Sequence, residues 1–307
     1  MRIAVMGTGG VGGYFGARLA RAGHEVAFIA RGKHLAAMRE RGLTVKSALG
    51  DVELARPKVT DNPASLEPVD IVLFAVKLWD TESAAEAVRP LLCNGGVVIP
   101  FQNGVESIER IGAVVGKERV MGGVAFIAAT IAEPGVIAQT GTMARLRFGP
   151  TLPAQQAAAD AFAAACVSAD IDAEVVADIR KALWMKFGFL AALSGMTAAS
   201  RQPIGVLRTD PDMRVVFEAA IREVWSLGRA RGIALPDEFV ADQMKFADSL
   251  PAQMKASMLN DLVAGNRLEA PWLSGAIVRM AQVAGIAVPV NATLYAAVKP
   301  YCDGAPR

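Results

Sequence analysis

Cysteine, histidine and net charge are all scarce in this chain. Its 307 residues include three cysteines (Cys93, Cys166, Cys302) and two histidines (His24, His34), and the net charge at pH 7 is +2. The cysteines have no paired spacing, which argues against a disulfide framework and suits a reducing compartment. The near-neutral charge gives no electrostatic reason for nucleic acid or a membrane surface as partner. Hydrophobic residues make up 53% of the chain, yet no apolar run has the length of a membrane span. The longest candidate, Phe187 to Ala199, is short for that and carries Ser194, Gly195 and Thr197, so a buried helix is expected. No cationic leader precedes the first apolar stretch, which itself reads as a strand, so no secretory signal is expected. No residue set suggests a bound metal. What is left is a soluble cytoplasmic protein long enough for two domains with separate cores.

What is present begins at the first residues. Met1 to Met6 reads as a buried parallel strand and runs into Gly7-Thr8-Gly9-Gly10-Val11-Gly12, after which Tyr14 to Ala22 follows a helical period. A strand, three spaced glycines and a helix form the context in which this turn binds a dinucleotide. Gly7 permits the tight turn, Gly9 lets the backbone approach a pyrophosphate, and Gly12 lets the helix pack on the strand. The helix N-terminal amides then face the anion. The plainer alternative is a Gly-rich turn of an ordinary α/β protein.

The second strand, Val26 to Ala30, ends at Arg31-Gly32-Lys33. An enzyme preferring NAD usually carries Asp or Glu here to bind the ribose 2′-hydroxyl. A guanidinium instead suits a 2′-phosphate, which it can hold with two charge-assisted hydrogen bonds. Arg31 therefore points to NADPH rather than NADH, the alternative being a solvated loop cation.

Alternation continues to about residue 176, with strands expected at Asp70 to Val76 and Gly96 to Phe101. Val120 to Ala129, Val136 to Gln139 and Ala144 to Phe148 read as further strands. This predicts an α/β fold: a Rossmann-type, doubly wound parallel sheet over 1–176 with an antiparallel addition at one edge. Beyond it, long helices (Asp178 to Ser200, Pro211 to Arg231, and four more) predict an all-helical domain over 177–307, with Pro203-Ile204-Gly205 closing the first. The substrate site is expected in the cleft between the two domains.

Ligands of open α/β sheets bind beyond the C-terminal ends of the strands, where Lys77 and Asn103 fall. Lys77 reads equally as a surface cation, and Asn103 before Gly104 as a tight turn. Neither histidine stands where it would reach a carbonyl at a nicotinamide. A lysine in the apolar helical half is the better acid, since burial brings its pKa toward working pH. Lys186, within Leu183-Trp184-Met185-Lys186-Phe187, is that candidate, while Lys181 reads as a solvated helix end. The alternative for Lys186 is a side chain that snorkels to the surface. Glu269, just before Pro271 and its expected helix, reads as an N-terminal charge facing the helix dipole.

Together these segments resemble the ketopantoate reductase (2-dehydropantoate 2-reductase) family over nearly the full length. The resemblance rests on Gly7 to Gly16, Ala75-Val76-Lys77, Gln102-Asn103-Gly104, Leu183 to Lys186, Ser257 to Asp261 with Glu269, and Gly285 to Pro289. It implies NADPH-dependent reduction of a small 2-oxo acid to the D-2-hydroxy acid. It gives Lys186 the role of general acid, and Asn103 that of orienting the nicotinamide ribose and substrate. It places Lys77 near the cofactor, Ser257 at the substrate carboxylate, and Glu269 at substrate or ribose hydroxyls. Family members carry substrate-binding asparagines four and eight residues after the lysine, and here those positions are Leu190 and Ser194. Leu190 offers no hydrogen bond, whereas Ser194 is a shorter donor, so a more apolar 2-oxo acid is an alternative substrate, as in D-mandelate-type dehydrogenases. A β-hydroxyacid dehydrogenase and a non-catalytic NADPH-binding sensor stay open beside these. Apolar helices in the second half point to a homodimer.

Overall fold

Two compact units divide the chain in a computed structural model that describes residues 1–304. Met1–Gln102 and Glu106–Ile179 form the first, and Asn103–Val105 joins Arg180 onward in the second. The first runs β1 (Arg2–Met6), α1 (Gly10–Arg21), β2 (Glu25–Ile29), α2 (Gly32–Arg41), β3 (Leu43–Lys46), β4 (Val52–Leu54), β5 (Lys58–Thr60) and β6 (Ile71–Phe74). It continues through α3 (Thr81–Val88), β7 (Val97–Pro100), α4 (Ser107–Val115), β8 (Gly122–Glu133), β9 (Val136–Gly149), α5 (Gln156–Ser168) and β10 (Asp172–Val175).

Five strands make a parallel sheet in the order β5-β2-β1-β6-β7. The chain winds outward from β1 through β2, then returns to the other side of β1 at β6. That reversal puts a switch point at the C-terminal ends of β1 and β6, where such sheets bind ligands. β1 is central and apolar on both faces: Ile3, Ala4 and Val5 have no exposed surface.

The expected antiparallel edge is a second sheet, ordered β10-β9-β3-β4 with β8 antiparallel on β9. Val120 makes a single parallel bridge to Val98 on β7, just before β8 begins. The two short strands expected at Val136 and Ala144 are one strand, β9. The pairing steps from Ala128↔Thr140 to Ile127↔Ala144, so Gly141, Thr142 and Met143 bulge out of an otherwise continuous ladder. Two short, half-exposed strands, β5 and β10, had no pattern to reveal them.

The second unit is helical: α6 (Ile179–Ser200), α7 (Ile204–Thr209), α8 (Pro211–Ala230), α9 (Phe239–Ser249), α10 (Ser257–Val263), α11 (Ser274–Ala284) and α12 (Pro289–Val298). Its core gathers Phe187, Phe217, Phe239, Ile221, Leu227 and Ile277. α6 has 22 residues and a window of mean hydropathy 1.3, so by length and composition it could cross a membrane, contrary to the sequence expectation. With 72% of that window buried inside the protein, it is a core helix. It stops at Arg201, which takes φ of +61°. Pro203, expected only to close it, is instead the N-cap of α7.

Candidate active site

β1 ends at Met6 and the chain turns at Gly7, whose φ of +96° favours glycine. A Cβ there would lie 2.8 Å from the Val76 nitrogen and 2.9 Å from the Ala75 carbonyl carbon. Glycine therefore lets the turn close on the segment leaving β6. Thr8 is buried, and its hydroxyl and amide both donate to the Ile29 carbonyl, at 3.0 and 3.2 Å, fastening the turn to the end of β2. Gly9 is the N-cap of α1, with no atom within 4 Å of where its Cβ would stand. Gly10, Val11 and Gly12 open the helix with no side-chain cap. Uncapped amides beside an open backbone face suit a pyrophosphate, so these residues fit a dinucleotide.

Arg31 is the N-cap of α2, and its guanidinium donates to Asp80 Oδ2 at 2.6 Å. Asp80 stands just before α3, and in the sequence it marks only the start of a helix. Lys77 is exposed past β6, its Nζ 5.7 Å from the centroid of the Trp79 ring. Gln102, part of the motif around Asn103, has a structural role of its own. Its buried amide donates to the Val76 carbonyl at 2.9 Å and the Thr81 hydroxyl at 3.0 Å, tying the segment after β6 to the end of β7. A lone glutamine beside Asn103 carries no signal for such a brace. Both histidines have structural partners: His34 Nδ1 accepts from the Gly135 amide, and His24 Nε2 lies 2.9 Å from Ser168 Oγ. Burial pushes the His34 pKa down, with the Thr8 backbone opposing that.

In the second unit, Lys186 on α6 donates from Nζ to Asn103 Oδ1 at 3.1 Å. Asn103 Nδ2 in turn donates to Glu269 Oε2 at 3.3 Å. Three residues separated by 83 and 166 positions thus form one hydrogen-bonded row. The Lys186 side chain keeps some exposed surface along its length, but its ammonium is enclosed by protein. Desolvation lowers its pKa to about 8, against the raising influence of the Glu269 charge. Glu269 is buried and makes no side-chain cap to the helical turn it precedes. An ammonium of that pKa can give up a proton near neutral pH, and the amide fixes its direction.

Known proteins match this chain over nearly its full length. Residues 3–153 match the family model described as "Ketopantoate reductase PanE/ApbA", and residues 178–301 match its C-terminal companion. The chain belongs to the ketopantoate reductase family, and it is an oxidoreductase. The 2-dehydropantoate 2-reductase of Halobacterium salinarum is 32% identical over 297 residues, covering 96% of each protein. The crystal structure of a ketopantoate reductase from Ralstonia eutropha superposes with a TM-score of 0.89 at 34% identity, covering 98% of both chains. A D-mandelate dehydrogenase solved with NADH and anilino(oxo)acetate shares the fold (TM-score 0.90, 21% identity, 98% of both chains).

Two further positions named for the substrate in the sequence, Leu190 and Ser194, also lie on α6. Leu190, one turn beyond Lys186, is half-buried against the helical core. Ser194, a turn further, is 1% exposed, and its Oγ has no hydrogen-bond partner among the described residues. Ser257 is exposed as the first residue of α10.

Proposed function

We propose that this protein reduces a 2-oxo acid to the D-2-hydroxy acid with NADPH, Lys186 acting as general acid. The observation that carries the reading is the enclosed Lys186 ammonium, held by Asn103 and adjusted to a pKa of about 8. The first unit holds the dinucleotide through Gly7 to Gly12, with Arg31 at the 2′-phosphate and Lys77 nearby. When bound there, the cofactor would supply a hydride for the keto carbon. As negative charge develops on the carbonyl oxygen, Lys186 passes its proton there and stabilises the alkoxide. Asn103 aims the ammonium, and Glu269 holds the amide while favouring the protonated lysine. Ser257 binds the substrate carboxylate. The protein acts as a cytoplasmic homodimer, with domains 1–176 for cofactor and 177–307 for substrate.

Ketopantoate is the first substrate to test, because relatives matched over nearly their whole length bear the name 2-dehydropantoate 2-reductase. Leu190 favours a second substrate, a 2-oxo acid with an apolar or aromatic side chain, like the anilino(oxo)acetate bound by the D-mandelate dehydrogenase. NADPH oxidation measured across a panel from ketopantoate to phenylglyoxylate, with chiral analysis of the product, decides between them. Lys186→Ala is expected to reduce turnover by about a thousandfold or more with NADPH affinity nearly intact. An active Lys186→Ala enzyme would overturn the assignment, and NADPH binding with no turnover on any 2-oxo acid would favour a sensor.

A further inference from the structure

The pair formed by Arg31 and Asp80 has an unusual construction. Aspartate at a helix N-cap ordinarily accepts from the helix's own amides. Asp80 occupies the N-cap of α3 yet makes no such bond. Its carboxylate accepts from Arg31 instead, at 2.6 Å. The backbone of Asp80 is fixed: its amide donates to the Lys77 carbonyl at 2.9 Å, and its carbonyl accepts from Ser83 Oγ at 3.1 Å. Next to it, the Thr81 hydroxyl donates to the Leu78 carbonyl and accepts from buried Gln102. The Asp80 side chain is 24% exposed and that of Arg31 81%. The carboxylate is therefore the anchored member of the pair and the guanidinium the movable one.

Arg31 lies two residues beyond the end of β2, where dinucleotide-binding folds that take NAD place an acid for the ribose 2′-hydroxyl. Here an acid reaches the same guanidinium from the segment between β6 and α3. We infer that Asp80 is a cofactor-selectivity residue that moderates the preference of Arg31 for a 2′-phosphate and lets the enzyme accept NADH as well. This rests on the NADPH reading of Arg31. A 2′-phosphate must share the Arg31 guanidinium with Asp80 and so lie close to a like charge. A 2′-hydroxyl does not face that cost, and it can donate to the carboxylate with the ion pair intact.

The test is calorimetric binding of NADPH and NADH to the full-length protein, with adenosine 2′,5′-bisphosphate and AMP as probes of the ribose end alone. Asp80→Asn and Asp80→Ser both keep a good N-cap residue, so the start of α3 is preserved. Each is expected to tighten NADPH and the bisphosphate by about threefold to tenfold, and to weaken NADH and AMP by a similar factor. Equal changes for both cofactors, as from a purely structural role, or no change for either, would overturn the inference. Arg31→Ala is measured alongside. If it weakens NADPH no more than NADH, the NADPH reading itself fails. If it weakens NADPH selectively while the Asp80 variants do not discriminate, only the role of Asp80 fails.

Discussion

Lys186 donates to Asn103 Oδ1 at 3.1 Å, and the other end of the same amide donates to Glu269, so one side chain joins an ammonium to a carboxylate. Glu269 raises the pKa that burial lowers to about 8. Glu269→Gln keeps an acceptor for Asn103 Nδ2 but removes the charge. The Lys186 pKa then falls, and the alkaline limb of kcat/KM for 2-oxo acid reduction moves down by roughly one pH unit. A pH–rate profile superimposable on the wild type would exclude this electrostatic role.

Asn103 gives the opposite sign. Asn103→Asp places a carboxylate beside the ammonium, which favours the charged lysine and moves the alkaline limb upward. Asn103→Ala removes this one acceptor from Lys186, and kcat is expected to fall by about a hundredfold as the acid loses part of its orientation. The pH profiles of the two variants separate charge from aim, since only the aspartate variant should move the limb upward.

The same burial costs stability. In the unfolded chain Lys186 titrates near the ordinary lysine value of 10.5, and in the folded protein at about 8. Below pH 8 both states carry the proton, and the folded state bears a penalty of about 3 kcal/mol. Between pH 8 and 10.5 the unfolded state binds more protons, so this contribution to stability improves as pH rises. Lys186→Met removes the charge but leaves Asn103 short of a donor, which offsets about 1 kcal/mol. The variant is expected to be inactive yet about 2 kcal/mol more stable at pH 7, with the gain shrinking by pH 10. Urea unfolding at the two pH values checks this, and a destabilised variant at pH 7 would contradict it.

Where local pattern suffices, the sequence is legible. β1, the glycine turn and α1 are adjacent in the chain, and each lies where its own residues mark it. Lys186 stood out because an apolar helix has few reasons to hold a lysine. The failures involve partners distant in sequence. β9 was broken in two because a three-residue bulge interrupts its alternation, although its pairing with β8 continues on both sides. The bond between Lys186 and Asn103 spans 83 positions, and the Arg31–Asp80 pair spans 49. No periodicity encodes contacts of that kind. Asp80 is further disguised, since an aspartate at the start of a helix already has an ordinary explanation as a cap.

The two glycines that open the dinucleotide turn should fail differently when given a methyl group. At Gly7 the φ of +96° and backbone atoms at 2.8–2.9 Å leave no room. Gly7→Ala is therefore expected to cost about 2–3 kcal/mol of stability by straining the turn against Val76. At Gly9 the φ is −85° and nothing lies within 4 Å of the added atom. Gly9→Ala should leave the melting temperature within about 2 °C of wild type, because no native contact is disturbed. Its methyl enters the open side where a pyrophosphate would approach, and NADPH affinity is expected to fall by about tenfold or more. Thermal unfolding and cofactor titration of both variants test the pair of predictions. Unchanged NADPH affinity in Gly9→Ala would show that the pyrophosphate does not pass over Gly9.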